Sequence, residues 1–70
     1  MQIIKTLPDL PLFGMWCRNP SSGQWSPARM AQIVAANENR ANRGMPPLEV
    51  GDPTPGSMVW TGTEYAVYRP

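Results

Sequence analysis

The side chains best equipped for recognition are Trp16, Arg18, Trp60, Tyr65, Tyr68 and Arg69. Indole and phenol rings offer flat apolar faces with a polar tip, and a guanidinium offers a planar fork of donors that matches phosphate or carboxylate. Together they can stack a base and neutralise its phosphate, or they can anchor a protein interface, where Trp, Tyr and Arg carry most of the binding energy. The same inventory argues against catalysis. There is no histidine, hence no imidazole base and no imidazole metal ligand. The one thiol, Cys17, has no histidine to activate it and can close no intramolecular disulfide. Asp9, Glu38, Glu49, Asp52 and Glu64 are scattered with no local pair for acid–base work. No P-loop, dinucleotide-binding glycine motif or CxxC occurs, and the sequence matches no family by motif. The expectation is a protein that is not an enzyme and needs neither metal nor cofactor.

The element best marked in the sequence runs from Ser26 to Gly44. Ser26 has the chemistry of an N-cap, Pro27 suits the first helical position, and Trp25 with Met30 has the spacing of a hydrophobic staple. Arg40 and Arg43 complement the negative end of the helix dipole. Gly44 can close the helix in the left-handed conformation, and Pro46-Pro47 forbids continuation. A helix over about 27–43 follows. Met30, Ile33, Val34, Asn37 and Ala41 share one face of it, a thin stripe with an asparagine in its middle. Arg29, Arg40 and Arg43 belong to a polar row that reads as a solvated face or an anion contact, and the sequence does not separate the two.

Strand signals surround this helix. Gln2 to Thr6 and Phe13 to Arg18 have strand character, the latter with Trp16 and Arg18 on one side and Phe13, Met15 and Cys17 on the other. Between them Leu7 to Leu12 carries Pro8 and Pro11, which excludes a central strand and suggests a connector whose leucines pack on the core. Asn19 to Gly23 is a cluster of turn formers, and Asp52-Pro53 and Pro55-Gly56 each mark a further turn. Ser57 to Arg69 alternates on both sides of Thr61-Gly62, so a hairpin is expected with Trp60 facing Thr63 and Met58 facing Tyr65. One face of that hairpin carries Met58, Trp60, Thr63, Tyr65 and Val67; the other carries Val59, Glu64, Ala66 and Tyr68. The predicted fold is α+β: one central helix packed on a small antiparallel sheet that ends in a C-terminal β-hairpin, all in a single domain, 1–70.

Seventy residues with net charge +1 make one small domain with a marginal core, which oligomerisation commonly reinforces. Both hairpin faces are apolar and one helix can cover only one of them, so a homo-oligomer, a dimer first of all, is expected. The opening MQIIKTLPDLPLFGMW is broken by Pro8, Asp9 and Pro11 and does not read as a signal peptide, and no run is long enough to span a membrane. A soluble, cytoplasmic protein is expected. On function the sequence favours a small interaction protein, of the kind that phage and mobile elements use as accessory inhibitors of host machinery such as a defence system. The alternative is a homo-oligomeric sponge that sequesters a nucleotide-type messenger through arginines and rings. A nucleic-acid-binding module comes third, because the positive balance such modules show is absent.

Overall fold

Two-residue alternation and turn chemistry resolve into six strands and one helix in the computed structural model, which describes residues 2–10 and 14–70. The elements are β1 (Gln2–Ile4), β2 (Met15–Arg18), β3 (Trp25–Ala28), α1 (Met30–Asn42), β4 (Glu49–Gly51), β5 (Met58–Trp60) and β6 (Tyr65–Tyr68). They form one sheet in the order β1-β6-β5-β3-β2-β4. The α+β class, the single helix and the C-terminal hairpin are as the sequence implies. The sheet, however, is mixed: β1 lies parallel to β6, and β3 lies parallel to β5. Phe13, expected at the head of the second strand, lies outside the described residues.

Helix α1 starts three residues later than its cap signals suggest. Ser26 precedes a proline, which biases it to extended backbone, and residues 25–28 pair with β2 instead of opening the helix. Ser26 therefore does not cap; its Oγ lies 4.0 Å from Cys17 Sγ. Trp25 makes no staple, since it is buried in the sheet while Met30 is exposed. Arg29 takes the N-cap position in extended backbone (φ −87°, ψ 153°), and its N–H donates to Gln32 Oε1 at 2.9 Å. The C-terminal end is as expected. Gly44 has φ +70°, its N–H donates to the Ala41 carbonyl and the Met45 N–H donates to the Arg40 carbonyl, which is the Schellman arrangement.

The stripe that α1 turns inward also differs. Ile33 is buried, Ala36, Asn37 and Arg40 are half-buried, and Met30 and Val34 are exposed. Asn37 earns its inward place by accepting the Leu48 N–H on Oδ1 at 2.8 Å, which ties the helix to the approach of β4. Arg40 is likewise structural. Its Nε donates to the Pro46 carbonyl at 2.6 Å, holding the chain as it leaves the helix.

Register decides which side chains share a face. Ile4, Trp16, Arg18, Trp25, Glu49, Val59, Ala66 and Tyr68 project from one side of the sheet. There Trp16, Trp25 and Val59 form the core, with Ile4, Leu7, Leu10 and Tyr68 packed around them. Leu7 and Leu10 of the proline-containing connector thus do pack inward, while Leu12 lies outside the described residues. Ile3, Met15, Cys17, Ser26, Val50, Met58, Trp60, Tyr65 and Val67 project from the other side. Strands β3 and β4 are both antiparallel to β2, so α1 is a crossover that must pass over one face of β2. Leu7 and Leu10 pack on the tryptophan face, and Cys17 is buried on the other, which is left partly uncovered. Ile3 stays 59% exposed, and the Cα radius of gyration is 12.3 Å, against about 11 Å for a compact chain of this length.

The C-terminal hairpin pairs Trp60 with Tyr65, Val59 with Ala66 and Met58 with Val67. The turn is Gly62-Thr63, not Thr61-Gly62. Gly62 sits at the first central position with φ +110°, which glycine-first hairpin turns require. The partner shift is two residues, an even number, so each side chain keeps the face that the sequence reading gave it. Thr61 fastens the turn: its N–H and its hydroxyl both donate to the Glu64 carbonyl, at 2.9 Å and 2.8 Å.

Candidate binding site

The sheet distributes the six recognition side chains over several places. Trp16 and Arg18 share a face, as alternation demands, yet Trp16 is only 5% exposed and belongs to the core. Arg18 Nη1 donates to Glu49 Oε2 at 2.7 Å across the β2–β4 ladder. Tyr68 packs against the edge of the Trp16 cluster on that same face. Arg69 lies beyond β6, its side chain exposed and its N–H bonded to the Ile4 carbonyl at 2.8 Å. Trp60 and Tyr65 come together apart from that cluster, on the opposite face. Their ring centroids are 5.0 Å apart and their planes meet at 64°, an edge-to-face contact typical of aromatic pairs.

These two rings form one wall of a crevice of about 460 Å³ that is completed by Ser26, Pro27 and Gly62. The crevice exists because β3 and β5 part company. They run parallel and meet at a single bridge, Trp25 with Val59. The Asn19 N–H donates to the Gln24 carbonyl at 3.0 Å, so the alternation of the β2–β3 ladder places Trp25 and Pro27 at pairs not bonded to β2. The backbone of both therefore faces β5. The next rung of the parallel ladder would be donated by residue 27 to the Trp60 carbonyl, and proline has no N–H to donate. The ladder stops there and the strand ends separate. Ser26 and Pro27 border one side of the opening; Trp60, Gly62 and Tyr65 border the other. Sequence reasoning singled out the two rings but missed Ser26 and Pro27, which it had spent on a helix cap.

The crevice lining carries no charged side chain. Among the described residues neither Trp60 nor Tyr65 makes a side-chain hydrogen bond, which leaves an indole N–H and a phenol hydroxyl as unspent polar groups. On the same face, one register step away, stand Met58 and Val67, and beyond Val67 the exposed Ile3 on edge strand β1. A half-exposed apolar strip thus leads from the crevice to the sheet edge. Among the described residues no cluster of three His, Cys, Asp or Glu side chains could hold a metal ion, and no helix is long and apolar enough to cross a membrane. Comparison with protein-family models, with curated proteins and with solved structures finds no match for this chain.

Proposed function

We propose that this protein works by binding, without chemistry of its own, and that it does so through the Trp60–Tyr65 crevice and the apolar strip that adjoins it. The observation that carries the reading is the pairing of two half-exposed rings, free of hydrogen-bond duties within the described chain, at the mouth of an uncharged crevice. Its volume of about 460 Å³ is that of a small-ligand pocket or the seat of one or two partner side chains. Trp and Tyr in such a setting are the usual anchors of a protein interface. The partner is another protein, in keeping with an accessory protein that blocks a host machine by covering part of it. A nucleotide sponge draws less support. Its expected cations, Arg18 and Arg69, do not line the crevice, and Arg18 is engaged by Glu49.

The experiment is photo-crosslinking in cells that produce the protein, with a benzophenone side chain in place of Val67 on the strip and, as control, in place of the exposed Asp52. A covalent adduct specific to position 67, with a mass that includes a different protein, is the expected result. An adduct of exclusively two copies of this chain assigns the strip to the homodimer instead. Equal or absent labelling from the two positions overturns the reading.

A further inference from the structure

Resting on that reading, we infer that the crevice takes a proline-rich segment of the partner in the extended polyproline II conformation. Three features of the lining select this ligand over other neutral ones. The first is shape. Two ring planes at 64° make a notch and not a slot. A flat base needs parallel walls to be sandwiched, whereas a puckered pyrrolidine ring fits between inclined apolar surfaces, and Pro27 lines the same crevice. Gly62 adds room, since a Cβ placed on it would meet nothing within 4 Å, so a ligand backbone can approach the turn closely.

The second feature is hydrogen-bond polarity. A polyproline II segment makes no internal hydrogen bonds and presents its carbonyls outward, and proline adds no N–H. Such a ligand consists of acceptors. The crevice is lined by residues that carry donors: Trp60 with its indole N–H, Tyr65 with its hydroxyl, and Ser26, whose hydroxyl lies 4.0 Å from Cys17 Sγ. Aromatic-lined grooves with few donors are the general solution for recognising this conformation, because the preformed extended ligand loses little entropy on docking.

The third feature excludes the main competitor among extended peptides. A β-strand that slid between β3 and β5 would need backbone donors from both, and Pro27 withholds one on the β3 side. The gap that proline opens therefore admits an extended chain but offers it no complete ladder. Side-chain capture is what remains.

The test is titration of the full-length protein with decaproline, followed through the Trp60 indole N–H resonance, beside a Gly-Ser decapeptide and adenosine monophosphate. Decaproline should move that resonance saturably, and the two controls should leave it in place. Trp60→Phe keeps a ring and removes the donor; binding followed at Tyr65 should weaken about three- to tenfold, the worth of one neutral hydrogen bond. Val50→Ala, on the far edge strand, should bind as the parent does. Unchanged binding by Trp60→Phe, equal binding of the Gly-Ser peptide, a response to the nucleotide alone, or no response to any probe would each overturn the inference. Should decaproline fail while the position-67 crosslink succeeds, the binding role stands and the proline ligand falls. Should the crosslink fail, the binding role falls whatever the peptide does.

Discussion

Arg18 and Glu49 face each other in register across β2 and β4, and the guanidinium closes on the carboxylate at 2.7 Å. Both partners are substantially solvated, with side-chain exposures of 35% and 56%. Pairs of that kind contribute about 0–1 kcal/mol. The pair matters more for what it removes, since it commits the arginine that shares a face with Trp16 to holding the edge strand. Arg18→Ala should therefore lower stability by less than about 1 kcal/mol and leave any crevice ligand unaffected. Chemical denaturation together with a binding titration checks both halves, and a loss of ligand binding without loss of stability would return Arg18 to the site.

Asn37 offers a sharper stability test. Its Oδ1 accepts the Leu48 N–H in a partly buried setting, and removal of the acceptor leaves that donor unsatisfied. Asn37→Ala should cost about 1–3 kcal/mol, and the Leu48 amide should exchange faster with solvent. Asn37→Asp keeps an acceptor oxygen at the same place and should recover part of the loss. If alanine and aspartate behave alike, the side chain does not tie helix to strand.

What the sequence disclosed and what it withheld divide along chain distance. The Schellman closure at Gly44, the Pro55-Gly56 turn, with φ +89° at Gly56, and the shared face of Trp16 and Arg18 are set by neighbours a few residues apart, and each was readable. Ser26-Pro27 was misread because its letters serve two structures: serine then proline opens a helix, and a residue before proline also prefers extended backbone. The choice fell to β2, whose pairing is a tertiary contact. The parallel union of β1 with β6 joins Gln2 to Ala66, and no local pattern announces a partner that remote. The crevice was illegible for the same reason. Its rings were visible in the hairpin, but its existence depends on where β3 lies beside β5.

Gly44 and Gly51 make a matched pair for the helix closure. Gly44 sits at φ +70°, whereas Gly51 has ordinary backbone and room for a Cβ, the nearest atom being on Trp25 at 4.0 Å. Gly44→Ala should destabilise by about 1–2 kcal/mol, the cost of a left-handed residue with a Cβ, and valine there by more. Gly51→Ala should change stability by about 0.5 kcal/mol or less. Thermal melts of the variants decide, and equal midpoints would show that the helix is not closed at residue 44.

The uncovered strip bears on self-association. Ile3 on edge strand β1 and Val67 beside it are register partners, and a second copy that covered them would bury apolar surface now in water. We propose a dimer through this strip as the chain's resting form in the absence of a partner. Light scattering at high micromolar concentration should give twice the chain mass, and Ile3→Lys should return it to one. A monomer at that concentration assigns the strip wholly to a different protein.

The role of Pro27 can be tested by giving it back its N–H. Pro27→Ala supplies the donor that the β3–β5 ladder lacks beyond Trp25 and Val59, and the Trp60 carbonyl is the acceptor to which that rung leads. The new bond is worth about 0.5–1.5 kcal/mol. Loss of the proline constraint frees the unfolded chain and costs about 0.4–1 kcal/mol. The two nearly cancel, so overall stability should stay within about 1 kcal/mol of the parent. Local structure should change far more. The amide of residue 27 should be protected from hydrogen exchange, the strand ends should draw together, and the crevice between Ser26 and Trp60 should narrow. Decaproline binding should then be lost in a variant whose rings, hydroxyls and melting point are intact. If instead the residue 27 amide exchanges as freely as one in an exposed loop, the strands are held apart by the packing of Trp60 against Tyr65 and not by the missing donor.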